Sequence, residues 1–263
     1  MTPTENRLAP EHAEKLVSLL NRFRQFRREP EQQLSEAYLH AQAKIADFLA
    51  RFRKARTGPD GLDAKQAKWE AKNAPHFNVF RVVRLQRRET KLHSPILAEF
   101  LKPSGIHGQG FKFLDAFFHK IYEIAPQDAL ALVTPSKVSK PNHWEVITER
   151  GIGEYGRLDI SLACHSTDFH FQAVIENKVD ASEGEDQLFR YFEWLEKKNN
   201  NCRQWLIFLT PDGRSPETAK SANCIRMSYR EDIAQWLKGV LAELEAPWLR
   251  ATVEQYLEIV KDL

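Results

Sequence analysis

The sequence predicts an α/β protein, with a mixed central β-sheet flanked by helices and an N-terminal helical hairpin. The first observation is a change of period: apolar residues recur at helical spacing before residue 143, whereas residues 143–177 contain β-forming runs separated by turn residues. The second is an amphipathic helical run at 185–198 that leads into an almost continuously apolar strand at 204–210. A strand reached through a crossover helix pairs parallel to an earlier strand, so the sheet is expected to be mixed.

Residues 1–60 are predicted to form the hairpin, and residues 61–263 to form the α/β domain. Apolar residues recur at helical spacing on both sides of Pro30, where a proline would interrupt the helix and let the chain turn. The residues that set this pattern include Leu16, Leu19, Leu20, Phe23, Tyr38, Ile45, Phe48 and Phe52. The hairpin is expected to mediate homodimerisation or to clamp nucleic acid.

Short helices are predicted between the hairpin and the sheet. Residues 62–75 form a polar helix that Pro75 ends, and a second helix starts at Ser94-Pro95, where proline suits the first turn. The predicted strands are 143–150, 157–164, 169–177, 204–210 and 224–229, and the two closing helices are 231–242 and 247–262. The first three strands are expected to form a meander.

The composition limits the possible classes of protein. Apolar residues make up 42% and charged residues 28% of the 263 residues, which is typical of a globular chain. The net charge of +2 does not by itself indicate a nucleic-acid partner, so a binding surface would need local clustering of basic residues. Three cysteines without a CxxC pair argue against a disulfide framework or a zinc site. No signal peptide or membrane span is expected, which favours a cytoplasmic protein.

One group of charged residues predicts a metal centre. Glu176 and Lys178 are two residues apart on a predicted strand, so their side chains point to the same face. Asp159 lies near the start of the neighbouring strand, and antiparallel pairing would bring it close to Glu176. Two converging carboxylates suit a hard cation such as Mg²⁺, and the lysine could position an attacking water. The alternative is an ordinary ion pair on the strand, because an isolated D…ExK pattern is a weak motif.

Longer stretches of the chain resemble a known family. RLDISLACHSTDFHFQAVIENKVDASEGEDQLFRYFEWL and the upstream RRETKLHSPILAEFLKPSGIHGQGFKFLDAFF are similar, in this order, to two motifs of one branch of the PD-(D/E)XK nuclease superfamily. The resemblance covers about residues 77–230 and implies a restriction-endonuclease-like core. The proline of the superfamily name is replaced by Leu158, a position at which many members vary.

The resemblance implies a Mg²⁺- or Mn²⁺-dependent deoxyribonuclease. It also suggests a role in bacterial defence or DNA processing. Asp159 and Glu176 would then be catalytic metal ligands, and Lys178 would assist the attack of water. The alternative is a module of the same fold that binds nucleic acid but has lost catalysis. The presence of all three residues argues against this alternative.

Three further residues match positions that are functional in the family. Gln187 and Tyr191 are four residues apart and share a helical face, so they either act near the phosphate or water, or simply pack on the sheet. Glu89 matches an acidic residue of the N-terminal helix. It is expected to be an added metal ligand with a catalytic role, or else to cap the helix that starts near Ser94.

Basic residues cluster next to the predicted site and could bind the phosphate backbone. The candidate nucleic-acid-binding residues are Arg84, Arg87, Arg88, Lys91, His93 and Arg157. The alternatives are a solvated helix face for the cluster, a helix cap for His93, and an orientation to the opposite face for Arg157. Backbone binding would make the affinity for DNA sensitive to salt.

Overall fold

The computed structural model describes residues 10–126, 133–198, 202–217 and 223–263, except for the side chains of residues 10–13 and 26–35. The chain divides into two compact units, Met1–His76 and Phe77–Leu263. The predicted boundary at residue 60 lies between the two helices of the first unit. None of the described helices has both the length and the apolar character needed to cross a membrane.

The first unit contains α1 (Pro10–Thr57) and α2 (Leu62–Asn73). The predicted hairpin at Pro30 is wrong, because the backbone of α1 continues through this residue as one helix of 48 residues. A proline costs one helical hydrogen bond, but a reversal also needs turn-forming residues, and the sequence REPEQQLSE has no glycine, asparagine or aspartate. The chain turns instead after α1, where Arg56 forms an ion pair with Asp63 of α2.

The described residues of the second unit form a five-stranded sheet with the order β1-β2-β3-β4-β5. The strands are β1 (Trp144–Gly151), β2 (Arg157–His165), β3 (His170–Asn177), β4 (Arg203–Thr210) and β5 (Ile225–Ser228). The first three strands pair antiparallel as a meander, and β4 and β5 continue the sheet in parallel with β3. The predicted mixed α/β sheet is therefore confirmed.

Helices cover both faces of this sheet. They are α3 (Val79–Val82), α4 (Ser94–Leu101), α5 (Lys112–Ile124), α6 (Pro135–Val138), α7 (Gln187–Lys198), α8 (Ala234–Ala242) and α9 (Pro247–Lys261). Wider helical turns of the π type precede α4 at Glu89–His93 and α8 at Tyr229–Ile233.

The two faces of the sheet build cores of different size. Residues of α4, α5, α8 and α9 pack on one face, where Phe113, Phe118 and Phe171 are completely or almost completely buried. The opposite face packs mainly on α7, through Leu188 and Tyr191. Among the predicted site residues, Arg157 at the start of β2 is exposed and Asp159 is half-buried, whereas Glu176 at the end of β3 is completely buried.

Candidate active site

The register of β2 and β3 brings the predicted acidic pair together. Ile160 pairs with Ile175, so the preceding Asp159 and the following Glu176 are the next positions along the two strands. The Asp159 carboxylate is close enough to raise the pKa of Glu176. Lys178 follows immediately after β3, and its Nζ lies 2.7 Å from Glu176 Oε1.

Glu176 is completely buried, although it is a carboxylate. Lys178 Nζ is close to Oε1, but neither carboxylate oxygen accepts a hydrogen bond of normal geometry from a described residue. Burial raises the pKa of Glu176 to about 8, and the neighbouring Asp159 carboxylate adds to this increase. A buried carboxylate with unsatisfied oxygens is costly to the fold unless a cation or a proton neutralises it.

Asp159 is held by the backbone of the adjoining strand. Its Oδ2 accepts a hydrogen bond of 2.8 Å from the backbone N–H of Asn177. Burial raises the pKa of Asp159, and the carboxylates of Glu149 and Glu89 raise it further, against the lowering effects of the Asn177 N–H and Lys178. Four acidic side chains therefore act on one another at this edge of the sheet.

The ammonium of Lys178 is mostly buried beside these carboxylates, with 12% of its side chain exposed. Burial lowers the pKa of Lys178, but the surrounding carboxylates, Glu176 foremost, raise it by more, so that its pKa lies above the usual value. The lysine therefore remains protonated at neutral pH. Its backbone N–H donates to the Leu209 carbonyl, which fixes the end of β3 against β4.

Glu89 organises the loop that follows Lys178. Its Oε1 accepts hydrogen bonds from three consecutive backbone N–H groups, at 2.5 Å from Val179, 3.0 Å from Asp180 and 3.2 Å from Ala181. The predicted helix cap is not observed, because Glu89 binds this distant loop. Glu89 also raises the pKa of Glu176, which places its charge close to the predicted acidic pair.

Gln187 and Tyr191 of α7 form a chain of hydrogen bonds to the start of β2. The backbone N–H of Gly184 donates to Gln187 Oε1, and Gln187 Nε2 donates to the hydroxyl of Tyr191. The Tyr191 hydroxyl in turn donates to the carbonyl of Arg157, two residues before Asp159. Gly156, just before this carbonyl, has a φ of +109°, which favours glycine. The geometry gives Gln187 and Tyr191 a role in positioning β2.

A second hydrogen-bond network, which the sequence analysis did not predict, lies on the opposite face of β3. Asn177 donates from Nδ2 to Ser94 Oγ (3.0 Å) and accepts from the hydroxyl of Tyr229 (2.8 Å). Asn177 and Ser94 are fully buried. These bonds connect β3 to α4, while the backbone N–H of Asn177 holds Asp159.

The prediction that His93 contacts nucleic acid does not agree with the structure. His93 is fully buried, and burial lowers its pKa to about 4, so it is neutral. Its Nε2 lies 3.1 Å from the Gln86 carbonyl and its Nδ1 lies 3.0 Å from the Tyr256 hydroxyl. A carbonyl can only accept, so Nε2 donates and Nδ1 accepts the tyrosine proton. His93 thus ties the π-type turn to α9.

The remaining basic candidates are on the surface. Arg84, Arg88 and Lys91 are exposed. Arg87 forms an ion pair with Asp180, which raises the pKa of the guanidinium and lowers that of the carboxyl. The Arg87–Asp180 pair joins the basic segment to the loop that Glu89 holds, so this segment adjoins the acidic pair.

Glu149 is a residue of the site that the sequence analysis did not select. Its Oε2 lies 2.8 Å from Nε of Arg157, which therefore faces a carboxylate as well as solvent. The pairs Thr148 with Ile160 and Arg150 with Leu158 show that Glu149 is opposite Asp159. The register of the predicted hairpin would have given this neighbour, since the positions 149 and 159 are equally far from the turn.

The donor chemistry of these residues fits a hard divalent cation. Within the described ranges, no three His, Cys, Asp or Glu side chains already converge as a metal-binding group. Glu176 nevertheless presents buried carboxylate oxygens without hydrogen-bond partners among the described residues, next to Asp159. Carboxylate oxygens are the preferred protein ligands of Mg²⁺, so Asp159 and Glu176 are the residues that could hold it.

The mixed sheet, with an Asp, a Glu and a Lys where β2 and β3 meet, defines a restriction-endonuclease-like α/β protein. The chain belongs to the PD-(D/E)XK nuclease superfamily. A model of this family matches residues 77–258, which is more than half of the chain. Comparison with curated proteins and with solved structures gave no match. Membership suggests a nuclease that acts on nucleic acid, and such nucleases typically use divalent metals.

Proposed function

We propose that the protein is a Mg²⁺- or Mn²⁺-dependent deoxyribonuclease that hydrolyses phosphodiester bonds at the Asp159–Glu176–Lys178 site. The observation that supports this most directly is the position of Asp159 close to the fully buried Glu176, whose Oε1 lies 2.7 Å from the ammonium of Lys178. A buried carboxylate pair without enough hydrogen-bond donors is unfavourable for folding alone, and a bound cation would offset this cost.

Each residue has a definite task in this proposal. Asp159 and Glu176 bind the metal, which when present polarises the phosphate and lowers the pKa of a bound water. Lys178, which stays protonated, stabilises negative charge that develops on the phosphate and orients the attacking water. Glu89 holds the loop after Lys178 and thereby fixes the position of the ammonium.

The substrate would approach over the exposed basic segment. Arg84, Arg88 and Lys91 are exposed, and this segment is joined by Arg87 to the loop beside the site. Contacts from these side chains to phosphates would position DNA without reading its sequence. Arg157, with 65% of its side chain exposed, would reach a phosphate only by leaving Glu149.

The test is a cleavage assay with linear and circular DNA, single-stranded DNA and RNA, with and without Mg²⁺ or Mn²⁺. We expect Glu176→Gln and Lys178→Ala to reduce DNA cleavage by at least about 10²–10³-fold, because each removes a charge that acts on the reacting phosphate. Glu145→Gln, on the exposed part of β1, is the control that should cleave normally. Normal cleavage by both site variants would refute the proposal, and DNA binding without cleavage in any metal would indicate the silent module.

The first unit is proposed to form a homodimer interface through α1. Its apolar residues recur at helical spacing and are largely exposed, with values of 59% for Ile45, 65% for Phe48 and 51% for Phe52. Exposed apolar residues at helical spacing are typical of helices that associate with another helix.

A further inference from the structure

Helix α2 carries its basic residues on one side. Its three lysines are separated by three and four residues, so their side chains leave the same face of the helix. They are Lys65, Lys68 and Lys72, and all three are exposed. Trp69, which is 50% exposed, is four residues after Lys65 and three before Lys72, so it lies at the same face. We call these four residues the α2 basic face.

The acidic residues of α2 do not neutralise this face. Asp63 forms an ion pair with Arg56 of α1, and Glu70 Oε1 accepts a hydrogen bond from Gln66 Nε2. Among the residues that the structure describes, none forms an ion pair with any of the three lysines. Like charges three and four residues apart on a helix repel each other, so the face destabilises α2 until an anion binds to it.

The described part of the chain does not cover the α2 basic face. None of the 12 residues of α2 is buried, although a helix of this length is only marginally stable without packing. The matching family model begins at residue 77, so this face is outside the part of the chain that carries the candidate active site. Exposed ammonium groups next to an aromatic ring suit a polyanion whose own rings can stack, which is the chemistry of a nucleic acid.

We infer that the α2 basic face is a second contact surface for DNA, additional to the candidate active site. The three ammonium groups bind backbone phosphates, and Trp69 stacks on an unpaired base. This inference rests on the proposed function, which makes DNA the substrate. Phosphate contacts carry no sequence information, so the face holds DNA of any sequence to the chain.

The experiment measures binding of the full chain to a short single-stranded DNA oligonucleotide by fluorescence anisotropy, in EDTA so that a metal-dependent nuclease cannot cut it. In the triple variant Lys65→Gln, Lys68→Gln and Lys72→Gln, we expect the affinity at low salt to fall by at least about tenfold. The slope of log K against log salt should become shallower by about 2, because fewer counterions are released. Trp69→Ala should lower the affinity about tenfold without changing the slope, since stacking releases no counterions.

Two control variants show whether the charge and the position of these lysines matter. Exchange of the same three lysines for Arg keeps the charges, so this variant should bind as tightly as the wild type. Exchange of three exposed lysines of the second unit for Gln removes the same charge elsewhere and should leave the affinity and the slope nearly unchanged. These three lysines are Lys137, Lys238 and Lys261. Circular dichroism checks that every variant keeps its helices.

The outcomes separate this surface from the proposed nuclease activity. If the triple variant binds the oligonucleotide like the wild type, or if the control in the second unit loses as much affinity, the α2 basic face does not bind DNA, whether or not the chain cleaves. A wild type that binds through this face but cleaves no DNA with any divalent metal refutes the nuclease and leaves a DNA-binding surface.

Vesicles that contain phosphatidylserine test the other anionic partner of such a face. We expect the wild type and the triple variant to bind these vesicles equally weakly. Vesicle binding that requires the three lysines, together with an unchanged affinity of the triple variant for DNA, would overturn the inference and assign the face to a membrane surface.

Discussion

At the scale of single residues, Glu176 combines full burial with a carboxyl group whose oxygens the fold does not fully satisfy. Such a residue lowers stability at neutral pH, and its retention in the core is understandable if a cation binds there. The neighbouring Asp159 has one firm partner, the Asn177 N–H, which holds its carboxylate at the end of β3. The site is therefore arranged before any ligand binds.

Glu176 should make the stability of the metal-free protein depend on pH. Because its pKa is raised from 4.5 to about 8, the folded state keeps a proton that the unfolded chain has lost. This contribution to stability is complete below about pH 4.5 and disappears as the pH rises through 8. His93, with a pKa lowered to about 4, has the opposite effect below pH 6.5, so the window from pH 6.5 to 8 isolates Glu176.

In that window we expect the free energy of unfolding of the wild type in EDTA to fall by up to about 1.4 kcal/mol per pH unit. The free energy of unfolding of Glu176→Gln, measured by urea denaturation at each pH, should change clearly less with pH. Equal slopes for the two proteins would show that Glu176 is already ionised at pH 6.5.

Tyr191 is expected to act through β2. Tyr191→Phe leaves the Arg157 carbonyl and the Gln187 amide without their partner, which should cost about 1–2 kcal/mol of stability. The shift of β2 should lower kcat about tenfold with little change in KM. The control is Tyr122→Phe on α5, which removes a hydroxyl that accepts a hydrogen bond from the backbone N–H of Val133. It should lose similar stability but keep kcat, and an unchanged kcat in Tyr191→Phe would contradict the positioning role.

At the scale of elements, the π-type turn Glu89–His93 determines how α4 and β3 meet. Its first residue binds the loop after β3, and its last residue is fixed to α9 through Tyr256. The Asn177 side chain completes the connection by bonding to Ser94 at the start of α4. Three elements that are distant in the sequence thereby hold one end of the site rigid.

The loop after β3 should depend on Glu89. Glu89→Ala removes the acceptor of three N–H groups and should destabilise the protein by about 2 kcal/mol, whereas Glu89→Gln keeps an acceptor oxygen and should retain most of the stability. The loss of the charge should still weaken Mn²⁺ binding by about 10–100-fold in both variants. Denaturation and calorimetry measure the two effects, and Mn²⁺ binding as tight as wild type in Glu89→Gln would exclude a role near the metal.

At the scale of the whole molecule, the two compact units carry different features. The second unit contains the complete sheet and all the residues of the candidate site. The described part of the first unit contains α1 and α2, and α1 exposes apolar side chains such as Ile45 and Phe48. Catalysis and self-association are thus proposed to reside in separate units.

We expect the fragment 77–263 to unfold cooperatively and to cleave DNA, because its core is built within the unit. The full chain should be a dimer by light scattering, whereas the fragment should be a monomer. A full chain with Ile45 and Phe48 both changed to Gln should also be a monomer with its cleavage intact. A monomeric wild-type chain would contradict the proposed interface.

The order of helices and strands in the second unit could be predicted from the amino-acid sequence alone, because hydrophobic period and turn residues are local signals. The sequence also indicated Asp159, Glu176 and Lys178, since strand alternation and neighbouring strands relate these three positions. Only the tertiary structure showed that α1 continues through Pro30, that His93 is buried, and that Glu149 faces Asp159. Burial and cross-strand register arise from contacts between residues distant in the chain, which no local pattern specifies.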